Sequence, residues 1–140
     1  GADYAFLAEC REFVHSVREI TEGRGVDVVF DGVGKDTFGY SLDVIRKGGK
    51  IVLYGSSSGQ PEHIDPALLR ERAIVMATPT LSAYITDRDT LEAYATDIFE
   101  AFSSGIFGKL AITRYPLSKA FQAQADLEAR KTIGSVILVP

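Results

Sequence analysis

The sequence predicts an α/β protein whose strands lie parallel in a doubly wound sheet. Two observations lead there. Short apolar runs at residues 26–30, 50–54, 73–78, 110–115 and 134–139 alternate with stretches in which apolar residues recur every three or four positions. Those stretches have the length of a helical crossover, which parallel strands need and hairpins do not. Gly, Ser and Pro punctuate the ends of the runs, as turns between strands and helices require.

Residues 10–21 carry Phe13, Val14, Val17 and Ile20 at the helical period, and Gly23 and Gly25 end that helix. Residues 26–30, Val-Asp-Val-Val-Phe, read as a short buried strand entering the tight turn Asp31-Gly32-Val33-Gly34. A helix over 36–46 places Phe38, Leu42 and Ile45 on one side and stops at Lys47-Gly48-Gly49. The strand over 50–54 opens into a small-residue loop, Gly-Ser-Ser-Ser-Gly, at 55–59. Asp65 before Pro66 has the form of an N-capped helical turn, with the carboxylate at the cap and the ring at the first helical position. The strand over 73–78 runs up to Pro79. A longer helix over 87–104 carries Leu91, Tyr94, Ile98, Phe99 and Phe102 as its apolar stripe and ends at Gly105. A strand over 110–115, a helix over 116–130 and an apolar strand over 134–139 complete the chain.

Composition narrows the function classes. The 140 residues suffice for one domain with a sizeable core, and the 46% hydrophobic and 24% charged content is that of a soluble globular protein. No apolar run approaches the roughly 20 residues of a membrane span. The net charge is −4 and the basic residues are scattered, which argues against nucleic-acid binding. Cys10 is the only cysteine, so no intrachain disulfide forms, and a reducing cytoplasm is the expected setting. His15 and His63 are the only histidines, too few for a structural zinc site of the usual kind. The opening Gly-Ala-Asp-Tyr, without Met or a basic and apolar leader, has the look of a cut end rather than a signal peptide. No internal repeat or low-complexity tract is present.

In sheets of this type, ligands sit beyond the carboxyl ends of the strands. Three successive strand ends carry residues suited to a close-fitting ligand: Asp31-Gly32-Val33-Gly34, Tyr54-Gly55-Ser56-Ser57, and Thr78-Pro79-Thr80-Leu81. Glycine there admits a flat group without a Cβ in the way, and serine can donate to ribose or phosphate oxygens. Turns of this kind need small, polar residues in any case, so one alone carries little. Three in succession point to a nucleotide-binding edge. No Gly-x-Gly-x-x-Gly lies between a strand and a helix, since Gly23-Arg24-Gly25 precedes a strand, so the pyrophosphate-binding turn is expected to be absent. No catalytic constellation is visible: Ser56, Ser57 and Ser58 lack a nucleophile-elbow setting, and neither histidine belongs to a triad pattern. Glu62-His63 reads as solvated loop, Cys10 as a plain thiol, and Tyr84 and Tyr115 as packing residues rather than proton donors.

The ordered set of these segments resembles the C-terminal part of the zeta-crystallin-like NADPH:quinone oxidoreductases of the medium-chain dehydrogenase/reductase superfamily. The matching pieces run nearly end to end. They are Gly1-Ala2-Asp3 entering a strand, 21–34 (TEGRGVDVVFDGVG), 48–59 (GGKIVLYGSSSG), Pro79-Thr80-Leu81 with Tyr84-Ile85-Thr86, Tyr115-Pro116-Leu117, and Arg130 through 134–140 (GSVILVP).

The resemblance implies part of a Rossmann-type doubly wound sheet, strands three to six of six. Residues 1–140 would be the C-terminal part of a dinucleotide-binding domain, with the tail that returns to a catalytic domain upstream of Gly1. It implies NADPH as cofactor and hydride transfer to a quinone or a related small, electron-poor carbonyl. By position, Gly32, Val33 and Gly34 would line the nicotinamide-side ribose, and Tyr54, Gly55, Ser56 and Ser57 would continue that wall. Pro79, Thr80 and Leu81 would meet the carboxamide, and Arg130 would approach from the tail. The resemblance assigns no catalytic residue in this chain and no metal. Two positions depart from the family: Ala8 stands where relatives have a Tyr near the adenine, and Gly32 where Ser is common.

The implied partner is a second copy. Either the strand over 26–30, left as an exposed apolar edge, or Ile74, Val75 and Met76 on the sixth strand would carry the homodimer contact. Two other readings stay open: a non-catalytic dimerisation or binding module, and a reductase of enoyl or alkenal substrates.

Overall fold

A computed structural model describes residues 2–7 and 11–140, in two compact units that divide after Ile85. Gly1, Ala8 and Cys10, on which the cut end, the adenine contact and the thiol reading rest, lie outside the described residues.

The first unit holds a three-stranded parallel sheet in the order β1-β2-β3, formed by β1 (Val26–Asp31), β2 (Ile45–Leu53) and β3 (Val75–Ala77). Helices α1 (Glu12–Ile20), α2 (Phe38–Val44) and α3 (Pro66–Glu71) precede the three strands in turn. On α1 the apolar period buries Val17 and sets the Phe13 ring edge-on to Tyr40 of α2, with centroids 6.0 Å apart. The Asp65 carboxylate accepts from the Ala67 N–H and Pro66 opens α3, as the sequence pattern predicts.

Strand pairing sorts the side chains onto two faces. Val29, Ile51 and Met76 stand in one row, and Asp31 and Leu53 in the next. This face carries the core, in which Phe38, Ile45, Ile51 and Ile74 are buried and Leu42, Ile64 and Leu69 pack around them. The opposite rows are Val28, Lys50 and Val75, then Phe30, Val52 and Ala77. Here Phe30 is 72% exposed and Val75 56%. The expected apolar edge is therefore present at β1, whereas Ile74 of the proposed interface trio is buried in the core.

Two expectations fail. The helix over 36–46 stops at Val44, and Lys47-Gly48-Gly49 lies within β2 instead of ending a helix. Two guanidinium groups close α2 from outside. Arg18 donates to the Asp43 carbonyl, and Arg72 donates to the carbonyls of Leu42 and Ile45, each at 2.7 Å. Cations are favoured at a helix C-terminus, and Ile45 then turns to extended geometry and is fully buried. The second failure is the strand expected from Gly1-Ala2-Asp3 onward. Residues 2–7 form no ladder with β1, β2 or β3, and a strand exists only through such pairing. The Tyr4 and Phe6 rings stack on each other instead, both exposed.

Between the sheet and the end of the first unit lies one unforeseen helical turn, α4 (Leu81–Tyr84). The second unit holds α5 (Arg88–Ser103), β4 (Ile112–Pro116), α6 (Ala120–Glu128) and β5 (Ser135–Val139), with β4 and β5 paired in parallel. The Asp87 side chain caps α5 by accepting from the Thr90 N–H at 2.7 Å. The helix expected over 116–130 begins as a 3-10 turn at Leu117–Lys119. No residue of α5 is buried, and its stripe from Leu91 to Phe102 stays exposed.

Candidate functional site

The carboxyl end of β1 is organised by Asp31, which is 4% exposed. One oxygen accepts from the Val33 and Gly34 N–H groups at 3.0 Å each and from the Thr37 hydroxyl at 2.8 Å. The other accepts from the Ser41 hydroxyl at 2.7 Å. Burial alone pushes this carboxyl up. The combined donation from Ser41, Gly34, Thr37 and Val33 outweighs it and holds the group below the usual carboxylate range. Thr37 and Ser41 are one helical turn apart, so a single face of α2 supplies both hydroxyls.

The turn so formed is joined to the loop after β2. The Tyr54 N–H donates to the Asp31 carbonyl at 3.0 Å and the Ser58 N–H to the Val33 carbonyl at 2.9 Å. The Ser58 hydroxyl donates to that same carbonyl at 2.8 Å and accepts from the Asp36 N–H at 3.1 Å. The Lys35 N–H donates to the Gly59 carbonyl at 2.9 Å. Gly34 sits in this seam at φ +92°, where a side chain would collide with the Gly59 carbonyl. Two strand ends that the sequence offered separately are thus one continuous wall.

The wall separates two concavities. Gly32 and Val33 line a cavity of about 360 Å³ beside the β1 edge, together with Val28, Phe30, Phe13 and Tyr40. Tyr54, Gly55 and Ser56 line a second of about 160 Å³, closed by Thr78, Pro79 and Thr80. Gln60, which the sequence did not suggest, also lines it and donates to the Ser56 hydroxyl at 3.2 Å. Gly34 is buried within the seam and faces neither space. Ser57 is exposed, its N–H 3.5 Å from the Gly32 carbonyl, and Leu81 is 74% exposed at the start of α4. Arg130 belongs to the second unit, just past α6, with φ +55°.

Two of the remaining candidates, Glu62 and Tyr115, have ordinary partners. Glu62 pairs with Lys35 at 2.6 Å. The Tyr115 hydroxyl donates to Asp126 at 3.0 Å. Burial first, then that bond and the carboxylate charge, raise the Tyr115 phenol above its ordinary value. Among the described residues, no three His, Cys, Asp or Glu side chains converge to hold a metal ion. No helix among them is long and apolar enough to cross a membrane.

Thr37 and Ser41 were not singled out by the sequence, and Asp31 and Ser58 were named only within their turns with no role of their own, yet the four position the wall. The available signal was local: an Asp opening a Gly-x-Gly turn, with two hydroxyl residues four apart on the following helix.

A parallel sheet with glycine-lined strand ends defines a nucleotide-binding type of α/β fold. Residues 1–96 match the family model described as zinc-binding dehydrogenase, and the chain belongs to that family. It does so within the medium-chain dehydrogenase/reductase superfamily, and it contains part of that superfamily's Rossmann-type domain. A 2-haloacrylate reductase from a Burkholderia species is 33% identical over 142 residues, covering 100% of this chain and 43% of that protein. Quinone oxidoreductase 1 of Escherichia coli K12 is 36% identical over 133 residues, covering 92% of this chain and 40% of that protein. A crystal structure of the Escherichia coli quinone oxidoreductase complexed with NADPH superimposes with a TM-score of 0.79 at 36% identity, covering 91% of this chain and 40% of that one. The chain therefore spans 43% and 40% of the lengths of the two relatives. The zinc in the family's description finds no cluster of ligands among the described residues.

Proposed function

We infer that this chain is the nicotinamide-side part of an NADPH-dependent reductase that transfers hydride to a quinone or a related electron-poor carbonyl. The observation that carries the reading is the rigid wall at the carboxyl ends of β1 and β2, with Gly32 and Gly55 in contact and the small cavity up to Thr80 beside it. When bound, the reduced nicotinamide supplies the hydride. Gly32 and Val33 line the ribose side, and Gly34 holds the turn behind them. Tyr54, Gly55, Ser56 and Ser57 extend the wall. Pro79, Thr80 and Leu81 flank the ring's amide, and Arg130 is the basic residue assigned to the tail.

The 160 Å³ cavity is smaller than the roughly 300–1,000 Å³ of ordinary ligand sites, which supports a role for these residues at one end of a long ligand. Residues 1–140 are then the C-terminal portion of a dinucleotide-binding domain, in a cytoplasmic homodimer whose contact lies on the exposed β1 edge or on β3. The 2-haloacrylate reductase among the relatives supports a second reading, reduction of an electron-poor alkene.

Calorimetry with NADPH, on the 140-residue chain and on the gene product that carries it, tests the first reading. The gene product should bind and should oxidise NADPH with quinones. The chain alone should bind far more weakly. A gene product that ignores NADPH removes the reading. Turnover of 2-haloacrylates but not quinones replaces it with the second.

A further inference from the structure

Several acceptors along the wall are already committed. The Asp31 carboxylate has four donors, and the Val33 carbonyl takes both the N–H and the hydroxyl of Ser58. The Ser56 hydroxyl accepts from Gln60 and the Thr80 hydroxyl from Ser82, each keeping its own proton to donate, and the Ser57 and Thr78 hydroxyls have no hydrogen-bond partner among the described residues. Tyr54 differs from these in carrying its hydroxyl on a stiff ring set against the backbone. It is 60% exposed and lines the small cavity, and among the described residues its hydroxyl has no hydrogen-bond partner.

The ring that carries that hydroxyl makes a close approach to Gly32. A Cβ on Gly32 would lie 2.7 Å from the Tyr54 phenolic oxygen and 2.8 Å from the ring carbon that bears it. The ring tip therefore rests directly on the Gly32 backbone, at the boundary of β1 and β2. The Tyr54 N–H is held by the Asp31 carbonyl, and a Cβ on the next residue, Gly55, would lie 2.6 Å from the Gly32 carbonyl. The backbone on both sides of the ring is thus pinned. Tyr54 follows Leu53 of the core face, so it projects with Lys50 and Val52 toward the uncovered face of the sheet.

We propose that Gly32 and Tyr54 act as a pair: the glycine seats the phenol ring, and the Tyr54 hydroxyl donates a hydrogen bond to the 2′-hydroxyl of the nicotinamide-side ribose of the bound dinucleotide. This rests on the function proposed above. A phenol offers one donor at a fixed distance from a stiff ring, so it selects for a ligand oxygen at one place and costs little ordering on binding. Serine at position 32 would push the ring tip off its seat, since its Cβ would lie 2.7 Å from the phenolic oxygen.

The test uses the gene product that carries this chain, titrated with NADPH and with an NADPH analogue lacking the 2′-hydroxyl of the nicotinamide-side ribose. Backbone amide shifts at Gly55 and Thr80 report where the ligand sits. Tyr54→Phe should weaken NADPH binding by about three- to tenfold, the range of one neutral hydrogen bond, and leave binding of the deoxy analogue unchanged. Gly32→Ser should weaken NADPH to a similar degree, and the double variant should be no weaker than Gly32→Ser alone.

If Tyr54→Phe binds NADPH as well as the parent while the Gly55 amide still moves, the proposal is overturned and the site stands. It is also overturned if Tyr54→Phe weakens both ligands equally, because the lost contact is then not to that hydroxyl. If NADPH binds and neither amide moves, the location of the site is wrong and the proposal goes with it.

Discussion

Removing the Asp31 carboxylate should destabilise the first unit more than any other polar substitution in it. In Asp31→Ala the Gly34 N–H and the Ser41 hydroxyl lose their acceptor while buried, whereas Val33 and Thr37 retain access to water. Two buried unsatisfied groups at about 1–3 kcal/mol each give a loss of about 4 kcal/mol. With a urea dependence of about 2 kcal/mol/M, the unfolding midpoint should fall by about 2 M at unchanged slope. Asp31→Asn keeps an acceptor oxygen for Val33, Gly34 and Thr37 but loses the charge, and should cost about 1–2 kcal/mol. The local signature is faster amide exchange at Gly34 and Ser58, on either side of the seam.

The pH dependence has a definite sign. The folded-state value of Asp31 is lowered, so its contribution is fully present above the unfolded carboxylate value, about 3.9, and is lost as pH falls through the lower folded value. The parent should lose stability relative to Asp31→Asn only below about pH 4. Comparing the two removes the parallel contributions of Asp27, Asp87 and Asp126, which are also lowered. A midpoint for Asp31→Ala within about 0.3 M of the parent would refute the premise that this carboxylate holds the turn.

Three further outcomes follow from the same geometry. Arg72→Ala removes the two bonds of that guanidinium at the end of α2 and should cost about 2 kcal/mol by urea unfolding, with Arg72→Lys recovering less than half because one ammonium cannot span two carbonyls. Ser58→Ala breaks the hydroxyl link between the Asp36 N–H and the Val33 carbonyl, so amide exchange at Asp36 should accelerate while the urea midpoint drops by only about 1 kcal/mol equivalent. Sedimentation at micromolar concentration should show self-association of the chain. Phe30→Lys suppresses it if the β1 edge is the contact and Val75→Lys if β3 is, and a monomeric parent refutes both.

The alternation of elements and the three strand-end turns were legible because their signals are local. A β-branched run followed by Asp-Gly-x-Gly fixes a strand and its turn within a few residues, and Asp65-Pro66 fixes a helix start within two. The end of α2 was not legible. Phe38, Leu42 and Ile45 continue the helical period, and the boundary is set by Arg18 and Arg72, which are 25 residues from Asp43 and 30 from Leu42. The partnership of Asp31 with Ser41 had a visible signal in the hydroxyls four apart on the following helix, but the contact itself spans ten residues from a strand to a helix, and periodicity does not say which face of that helix meets the turn. The stripe on α5 shows the opposite limit. Its period identified the helix correctly, yet periodicity says only which face is apolar and not whether anything covers it.

The seam between the two turns bears on how binding free energy would be spent. A loop that must order around its ligand subtracts about 0.5–1.5 kcal/mol for each side chain it immobilises. Here the residues that would otherwise need ordering are already fixed, by the Asp31 cluster beneath the first turn and by Ser58 and the Lys35 N–H between the turns. Contacts made by Gly32, Tyr54 and Gly55 would then appear nearly undiluted in affinity. Loosening the seam through Ser58→Ala should weaken a ligand through lost order, while the Tyr54 hydroxyl keeps its seat on Gly32. The two effects have different temperature dependence: the ordering loss is entropic, and the lost phenol bond is mainly enthalpic. Calorimetry on Ser58→Ala and Tyr54→Phe should therefore separate a wall that is pre-built from one that forms on binding. An enthalpic loss in Ser58→Ala matching that of Tyr54→Phe would mean that the seam contributes contacts rather than order.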